Sequence, residues 1–184
     1  MATTIDRAAS VPQDLGAELP RGPARLPRAL NRWSSPWTAP DRVLAVHRWL
    51  YGRSGGRIGH GIIGATALLL YATGRRTGIR RCTGLCYARD GDRFVIAASN
   101  SGADKPPAWF NNLQANAAVE LQVGRLHLAG QARVIDASDP EYSRMWGLIN
   151  DTINGRLDAY QAETSRPIPL VALTLVRGEG GGQR

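Results

Sequence analysis

Four arginines fall within seven residues in the segment Thr73-Gly74-Arg75-Arg76-Thr77-Gly78-Ile79-Arg80-Arg81. Guanidiniums crowded in this way repel one another unless an anion or water neutralises them. Glycines at both ends allow backbone N–H groups to turn toward an oxyanion, and Thr77 adds a hydroxyl donor. A solvated basic turn is one reading and a phosphate or carboxylate site is the other. The apolar runs on either side favour the second, because they would hold the turn rigid.

A second segment, Ala97-Ala98-Ser99-Asn100-Ser101-Gly102-Ala103-Asp104, places small residues at a strand end. Small side chains leave room for a flat ring to approach the backbone; the alternative is a tight polar loop. Trp109 and Phe110 follow at a helix start. Such aromatics are usually core, but beyond a polar loop one of them can floor a pocket.

The familiar catalytic templates are missing. The sequence holds no Ser-His-Asp context of the G-x-S-x-G type, no H-E-x-x-H, no P-loop and no paired zinc cysteines. The acidic residues fall mainly in turns and helix caps, which leaves no candidate for a buried carboxylate pair. An enzyme of this kind would take its reactive group from a cofactor. Cys82 and Cys86, if on one strand, would lie about 13 Å apart, beyond the roughly 7 Å that a disulfide spans. Free thiols fit a reducing cytoplasm. His47, His60 and His127 are far from the cysteines in sequence, so no metal site is expected.

These segments need a scaffold, and the pattern supplies one. Residues 65–73 read as a buried strand and residues 81–88 as its return. Asp90-Gly91-Asp92 is a hairpin signal leading into a strand over 93–99. A polar loop with two prolines precedes a short helix over 108–116, with Trp109 and Leu113 on its inner face. Strands follow over 119–123, where apolar Val119, Leu121 and Val123 alternate with polar residues, and over 126–135. Ser138-Asp139-Pro140-Glu141 reads as a capping box, opening a helix with Tyr142, Met145, Trp146 and Ile149 on one face. A helical segment around 158–164 and a last strand over 167–175 complete the set. Six strands with short hairpins and a few helices predict a small closed or split β-barrel, mainly β with helices (α+β).

The chain has 184 residues and a formal net charge of +8, and Lys105 is its only lysine. Residues 1–60 carry nine arginines against four acidic residues, so the remainder is only mildly basic. No basic stripe with interleaved aromatics marks the body, and nucleic acid is not an expected partner. Residues 1–40, with six of the eleven prolines, read as a flexible Arg- and Pro-rich tail, residues 41–177 as the domain and residues 178–184 as a disordered tail. Val43, Val46, His47, Leu50 and Tyr51 recur at helical spacing after Pro40-Asp41, with arginines on the other side; residues 52–61 read as a connector. This basic helix either docks on the core or rests on an anionic membrane surface. No apolar stretch of the secretory type occurs in residues 1–41, and the longest apolar run, residues 62–72, is about half a membrane span. The expectation is a cytoplasmic protein, with peripheral contact at the inner face of the membrane through residues 1–60 as a further alternative.

The ordered set of Thr73 through Arg81, Asp90-Gly91-Asp92, Ala97-Ala98-Ser99-Asn100, Ala108-Trp109-Phe110-Asn111-Asn112-Leu113, Ala115-Asn116, Tyr160-Gln161 and Arg166-Pro167-Ile168-Pro169 resembles the deazaflavin (F420)-dependent nitroreductase family of actinobacteria, of the F420H2-dependent quinone reductase-like kind. The resemblance covers about residues 43–177. It implies a split β-barrel, FMN-binding-like fold and coenzyme F420, an 8-hydroxy-5-deazaflavin with a phosphate and an oligoglutamate tail. It further implies that Arg75, Arg76 and Thr77 hold the phosphate region, with Arg81 and the following Cys82, Thr83 and Gly84 beside the cofactor. Ala97, Ala98, Ser99 and Asn100 would line the deazaflavin, and Ala108, Trp109 and Phe110 would close over it. Family members usually carry Pro in place of Gly84 and commonly Lys in place of Asn100. Nitroreductive members carry several tyrosines before Arg166, where this chain has Asn154 and Leu157 and retains Tyr160.

The function implied is hydride transfer from reduced F420 to a small flat acceptor such as a quinone, an enone or a nitroaromatic. Ser99 and Tyr160 are the candidate catalytic residues, as hydrogen-bond donors to the acceptor oxygen. One alternative is a split barrel that binds FMN or heme, in which His127 would matter. The other is a non-enzymatic module for cofactor binding or for a membrane surface.

Overall fold

The computed structural model describes residues 66–176, together with Arg53. The expected tails, the basic helix after Pro40 and the glycine-rich connector lie outside the described residues.

Seven strands form one antiparallel sheet: β1 (Ala67–Thr73), β2 (Arg80–Cys86), β3 (Ala88–Asp90), β4 (Arg93–Ala97), β5 (Ala118–Val123), β6 (Leu126–Ile135) and β7 (Leu170–Leu175). Helix α1 (Ala108–Ala115) joins β4 to β5, while α2 (Tyr142–Thr152) and α3 (Arg156–Ala162) join β6 to β7. The strand order is β2-β1-β5-β6-β7-β4-β3. Its two ends, β2 and β3, are neighbours in the chain with only Tyr87 between them. The sheet must therefore curl until its edges meet, which makes it a half-barrel.

The return strand predicted over 81–88 is in fact two strands, which accounts for seven strands where six were expected. The break is at Tyr87. Its N–H donates to the Thr66 carbonyl (3.2 Å) and its carbonyl accepts the Thr66 hydroxyl (2.8 Å). Beyond it the chain leaves β1 and pairs with β4, with Asp90 opposite Arg93 across Gly91 and Asp92. The Tyr87 ring meets Phe94 edge-on at 5.2 Å.

Alternation along the strands sorts side chains to two faces. Leu68, Leu70, Phe94, Ile96, Leu121, Leu128, Val171 and Leu173 fill the concave interior, plugged by Trp109, Phe110 and Leu113 of α1. On the outer face, Val95, Leu170 and Ala172 pack with Met145 and Ile149 of α2 and Leu157 of α3. The apolar run at 62–72 thus supplies β1, and among the described residues no helix is long and apolar enough to cross a membrane.

The capping box does not form. The Ser138 hydroxyl donates to Asp136, and Asp139 Oδ1 accepts the Glu141 N–H at 2.9 Å. Glu141 instead turns to arginines from three elements: Arg93 of β4 (2.8 Å), Arg133 of β6 and Arg144 of α2 (3.2 Å). Arg93 and Arg144 also meet Asp90, and Arg133 meets Asp139. Three cations outcompeted one helix cap. Partly exposed pairs of this kind contribute about 0–1 kcal/mol each, whereas truncating a fully buried residue such as Phe94 costs about 3–5 kcal/mol. The apolar interior carries the stability, and the ion network fixes where α2 starts.

The arginines hold the Asp90 and Glu141 carboxyls below the usual range, with Arg144 the main influence on Asp90 and Arg93 on Glu141. A depressed native pKa gives stability that is present above the unfolded value, about 4, and lost as pH falls through the native one. Glu141→Gln is accordingly expected to lower the urea midpoint near about pH 7 and to differ little from the parent near about pH 3. An equal gap at both pH values would contradict this account of the network.

Candidate functional site

The turn between β1 and β2 is closed by its own backbone. The Gly74 N–H donates to the Ile79 carbonyl (2.9 Å), and the Gly74 carbonyl accepts the N–H groups of Thr77 (3.2 Å) and Gly78 (2.8 Å). A Cβ at Gly74 would lie 2.9 Å from Thr77 Oγ1 and 3.1 Å from the Ile79 carbonyl, so no side chain fits there. The Thr77 oxygen accepts the Ile79 N–H at 3.3 Å, which gives it a role inside the turn beside the donor role expected of it. The Arg75 N–H donates to Asn112 Oδ1 at 3.1 Å, which ties the turn to α1.

The four arginines divide. Arg80 pairs with Glu120 at 2.7 Å, and its guanidinium lies 3.7 Å from the centre of the Tyr71 ring. Arg75, Arg76 and Arg81 are exposed, and among the described residues no carboxylate lies within ion-pair distance of them. Three cations without an ion-pair partner among the described residues therefore stand on one backbone-closed hairpin.

Register sorts the strand that follows. Arg81 and Thr83 lie opposite Ala72 and Leu70 and share their interior face. Cys82 and Gly84 lie opposite Tyr71 and Leu69 on the outer face. Of the four residues expected beside the cofactor, two thus present side chains toward the side that α1 covers. Burial, with Cys82 next, pushes the Tyr71 hydroxyl up to about 12, and burial pushes the Cys86 thiol up to about 12 as well. Neither cysteine is in a disulfide.

At the end of β4, Ala98 is buried in the interior cluster, and its N–H donates to the Pro169 carbonyl at 2.9 Å. Half-buried Ser99 follows, and then three residues in the left-handed region: Asn100 (φ 49°), Ser101 (φ 54°) and Gly102 (φ 80°). Two consecutive non-glycine residues there are unusual and need support from around them. The Asn100 side chain donates to the Lys105 carbonyl at 2.9 Å. A Cβ at Gly102 would meet Glu163 Cβ at 2.8 Å and the Tyr160 carbonyl at 3.1 Å, so glycine lets the end of α3 rest on the loop. Arg166 supplies the strongest support. Its guanidinium donates to the carbonyls of Ala98 (3.1 Å), Ser99 (2.8 Å) and Ala103 (2.9 Å).

Ser99 and Tyr160 thus come from two elements that meet at Gly102, but the Tyr160 side chain packs with the outer cluster. Trp109 and Phe110 are buried in the interior cluster, edge-to-face at 6.2 Å, and Ala108 is exposed at the first turn of α1. Both aromatics are core residues. His127 is exposed and lies opposite Gln122 on the outer face, away from the loop that carries Ser99. Among the described residues no group of three His, Cys, Asp or Glu is placed to hold a metal ion.

Sequence reasoning missed the roles of Asn112, Gln161 and Arg166, although all three lie in quoted motifs. The Gln161 side chain donates to the carbonyls of Thr164 (3.2 Å) and Arg166 (2.9 Å) and accepts the Ile168 N–H (2.9 Å). It shapes the bend that carries Arg166.

The arrangement offers guanidiniums at the hairpin and a hydroxyl at the loop that leads into α1, and α1 is tied to the hairpin through Asn112. The model of the F420H(2)-dependent quinone reductase family matches residues 43–175. The F420H(2)-dependent quinone reductase of Mycobacterium tuberculosis (strain H37Rv) is 44% identical over 146 residues, covering 79% of this chain and 97% of that protein. A solved F420-H2 dependent reductase is 28% identical with a TM-score of 0.53, covering 58% of this chain and 92% of that one. A solved structure described as a domain-swapped dimer, 24% identical with a TM-score of 0.56, covers 73% of this chain and 99% of that one and shares the fold. The chain belongs to the F420H(2)-dependent quinone reductase family.

Proposed function

We propose that this protein uses reduced F420 to reduce a quinone to the quinol. The observation that carries the reading is the set of guanidiniums of Arg75, Arg76 and Arg81, exposed and, among the described residues, without carboxylate partners, on a hairpin closed by its own backbone bonds. They fit an anionic cofactor arm, because guanidinium forks bind phosphate and carboxylate oxygens in pairs. At the end of β4, Ala98 faces the interior while Ala97 packs with the outer cluster, so of the small residues expected at the ring only Ala98 and the following Ser99 lie on the side that α1 covers. When bound, the reduced deazaflavin supplies a hydride from a carbon centre.

The chain's own part is to hold and to align. Arg75 and Arg76 grip the phosphate region, and Arg81 and Thr83 extend that grip along the interior face of β2. Ala98, Ser99 and Asn100 line the ring, with the buried Trp109 and Phe110 as the firm base beneath the start of α1; Ala97 serves the outer cluster instead. Reduction of a quinone takes up one hydride and one proton, and negative charge collects on the acceptor oxygen as the hydride arrives. The Ser99 hydroxyl donates a hydrogen bond to that oxygen, and Tyr160 is the second candidate donor. Holding donor and acceptor in reacting geometry lowers the barrier alongside the hydrogen bond to the developing charge.

Quinones are favoured over nitro compounds by what fills the places of the missing tyrosines. Asn154 sits in the left-handed region (φ 58°) at the turn between α2 and α3, and Leu157 is fully buried in the outer core. Both serve the scaffold.

Anaerobic mixing of the protein with reduced F420 and a soluble naphthoquinone should return oxidised F420 and quinol in equal amounts. No turnover with a panel of quinones would overturn the reading. Arg75→Gln and Arg76→Gln together should weaken F420 binding by about 1.5–3 kcal/mol for each charged hydrogen bond lost, measured by titration of cofactor fluorescence. An unchanged Kd would remove the hairpin from the site. Ser99→Ala should lower kcat by an amount equal to about 1–3 kcal/mol, roughly five- to 150-fold. Unaltered turnover would take the hydroxyl out of the reaction.

A further inference from the structure

Arg166 has no part in the chemistry described so far, although it makes more contacts to the Ser99 loop than any other side chain. Two of its nitrogens bond three carbonyls, and those carbonyls belong to Ala98, Ser99 and Ala103, which bracket the left-handed residues. Its own backbone is fixed in turn, because Gln161 binds its carbonyl and Thr164 Oγ1 accepts its N–H at 3.4 Å. Among the described residues no carboxylate forms an ion pair with it, and it is partly desolvated. A guanidinium so placed would be costly as a mere surface residue. The loop closes on itself through only two backbone bonds, Gly102 N–H to the Ser99 carbonyl and Ala103 N–H to the Asn100 carbonyl (both 3.1 Å), and the Arg166 fork ties that turn to the bend before β7.

We propose that Arg166 is the positioning residue of the acceptor end of the site. Its fork sets the Ser99 loop in register with the ring, holding the carbonyls of Ala98, Ser99 and Ala103 while Asp104 acts on its charge from the same loop. The proposal rests on the reading of Ser99 as the group that meets the acceptor. Its effect is therefore expected in the reaction step. Grip on the cofactor arm belongs to the hairpin of Arg75 and Arg76, which Arg166 does not touch.

The test compares the parent protein with Arg166→Lys and Arg166→Met in three measurements: the Kd for F420, the kcat and KM for a soluble naphthoquinone, and the thermal midpoint. Arg166→Lys keeps the charge but not the fork. It should fold, keep the Kd within about threefold, and lose at least about tenfold in kcat, as expected for a misplaced reacting geometry. Arg166→Met loses charge as well and should fall further in kcat, with methylguanidinium added to the solution restoring part of the loss. A parent-like kcat in Arg166→Lys overturns the proposal, as does a loss in Kd equal to the loss in kcat, which marks a structural role only. If Arg166→Met fails to fold, Arg166→Lys decides by itself. If the parent does not oxidise reduced F420 with any quinone, the functional reading fails and this proposal fails with it. A parent that turns over while Arg166→Lys matches it rejects the proposal alone.

Discussion

One topological constraint governs the molecule: the first and last strands of the sheet are consecutive in the chain, with Tyr87 alone between them. A flat sheet cannot satisfy this, so the sheet curls, and curling creates an inside. Once there is an inside, alternation places Leu68, Leu70, Phe94 and Leu121 in it and leaves their neighbours outside. The open end of the half-barrel then needs a plug. Helix α1 provides it, and the same helix follows directly from the loop of Ser99 and reaches the arginine turn through Asn112. The two ends of the site are thereby tied to a single rigid body.

The arginines of this chain provide a comparison within one molecule. Arg93, Arg133 and Arg144 are matched by Asp90, Asp139 and Glu141, and Arg80 by Glu120 and the Tyr71 ring. Arg166 is satisfied by carbonyls. Against that background, Arg75, Arg76 and Arg81 lie together on one ordered hairpin with no acidic partner among the described residues, whereas Arg89 and Arg125, also exposed and in no ion pair there, stand singly on theirs. What sets the first hairpin apart is the clustering of its charges.

Much of this was legible in the sequence because it is local. Gly74 and Gly78 announce the turn, Asp90-Gly91-Asp92 announces the hairpin, and Val119, Leu121 and Val123 announce a half-buried strand. What was not legible depends on partners distant in sequence. The neutralisation of Arg80 requires Glu120, forty residues away, and the clamp on the Ser99 loop spans more than sixty. The break at Tyr87 depends on Thr66, on the far side of a hairpin. The capping box failed for a related reason: a rule with a radius of four residues met a cluster assembled from three elements. Even Gln122, polar and in an alternating strand, is buried, with Tyr71 donating to its side chain at 3.2 Å.

The open hairpin also acts before any contact is made. Three positive charges at the exposed tip of a curled sheet set up a local field that reaches roughly a Debye length, about 8 Å at physiological ionic strength. On the function proposed above, a polyanionic carrier diffusing past would be drawn to that tip arm first. Capture speed and orientation at encounter are then set by the same few side chains, and the rate of capture declines as dissolved ions screen them.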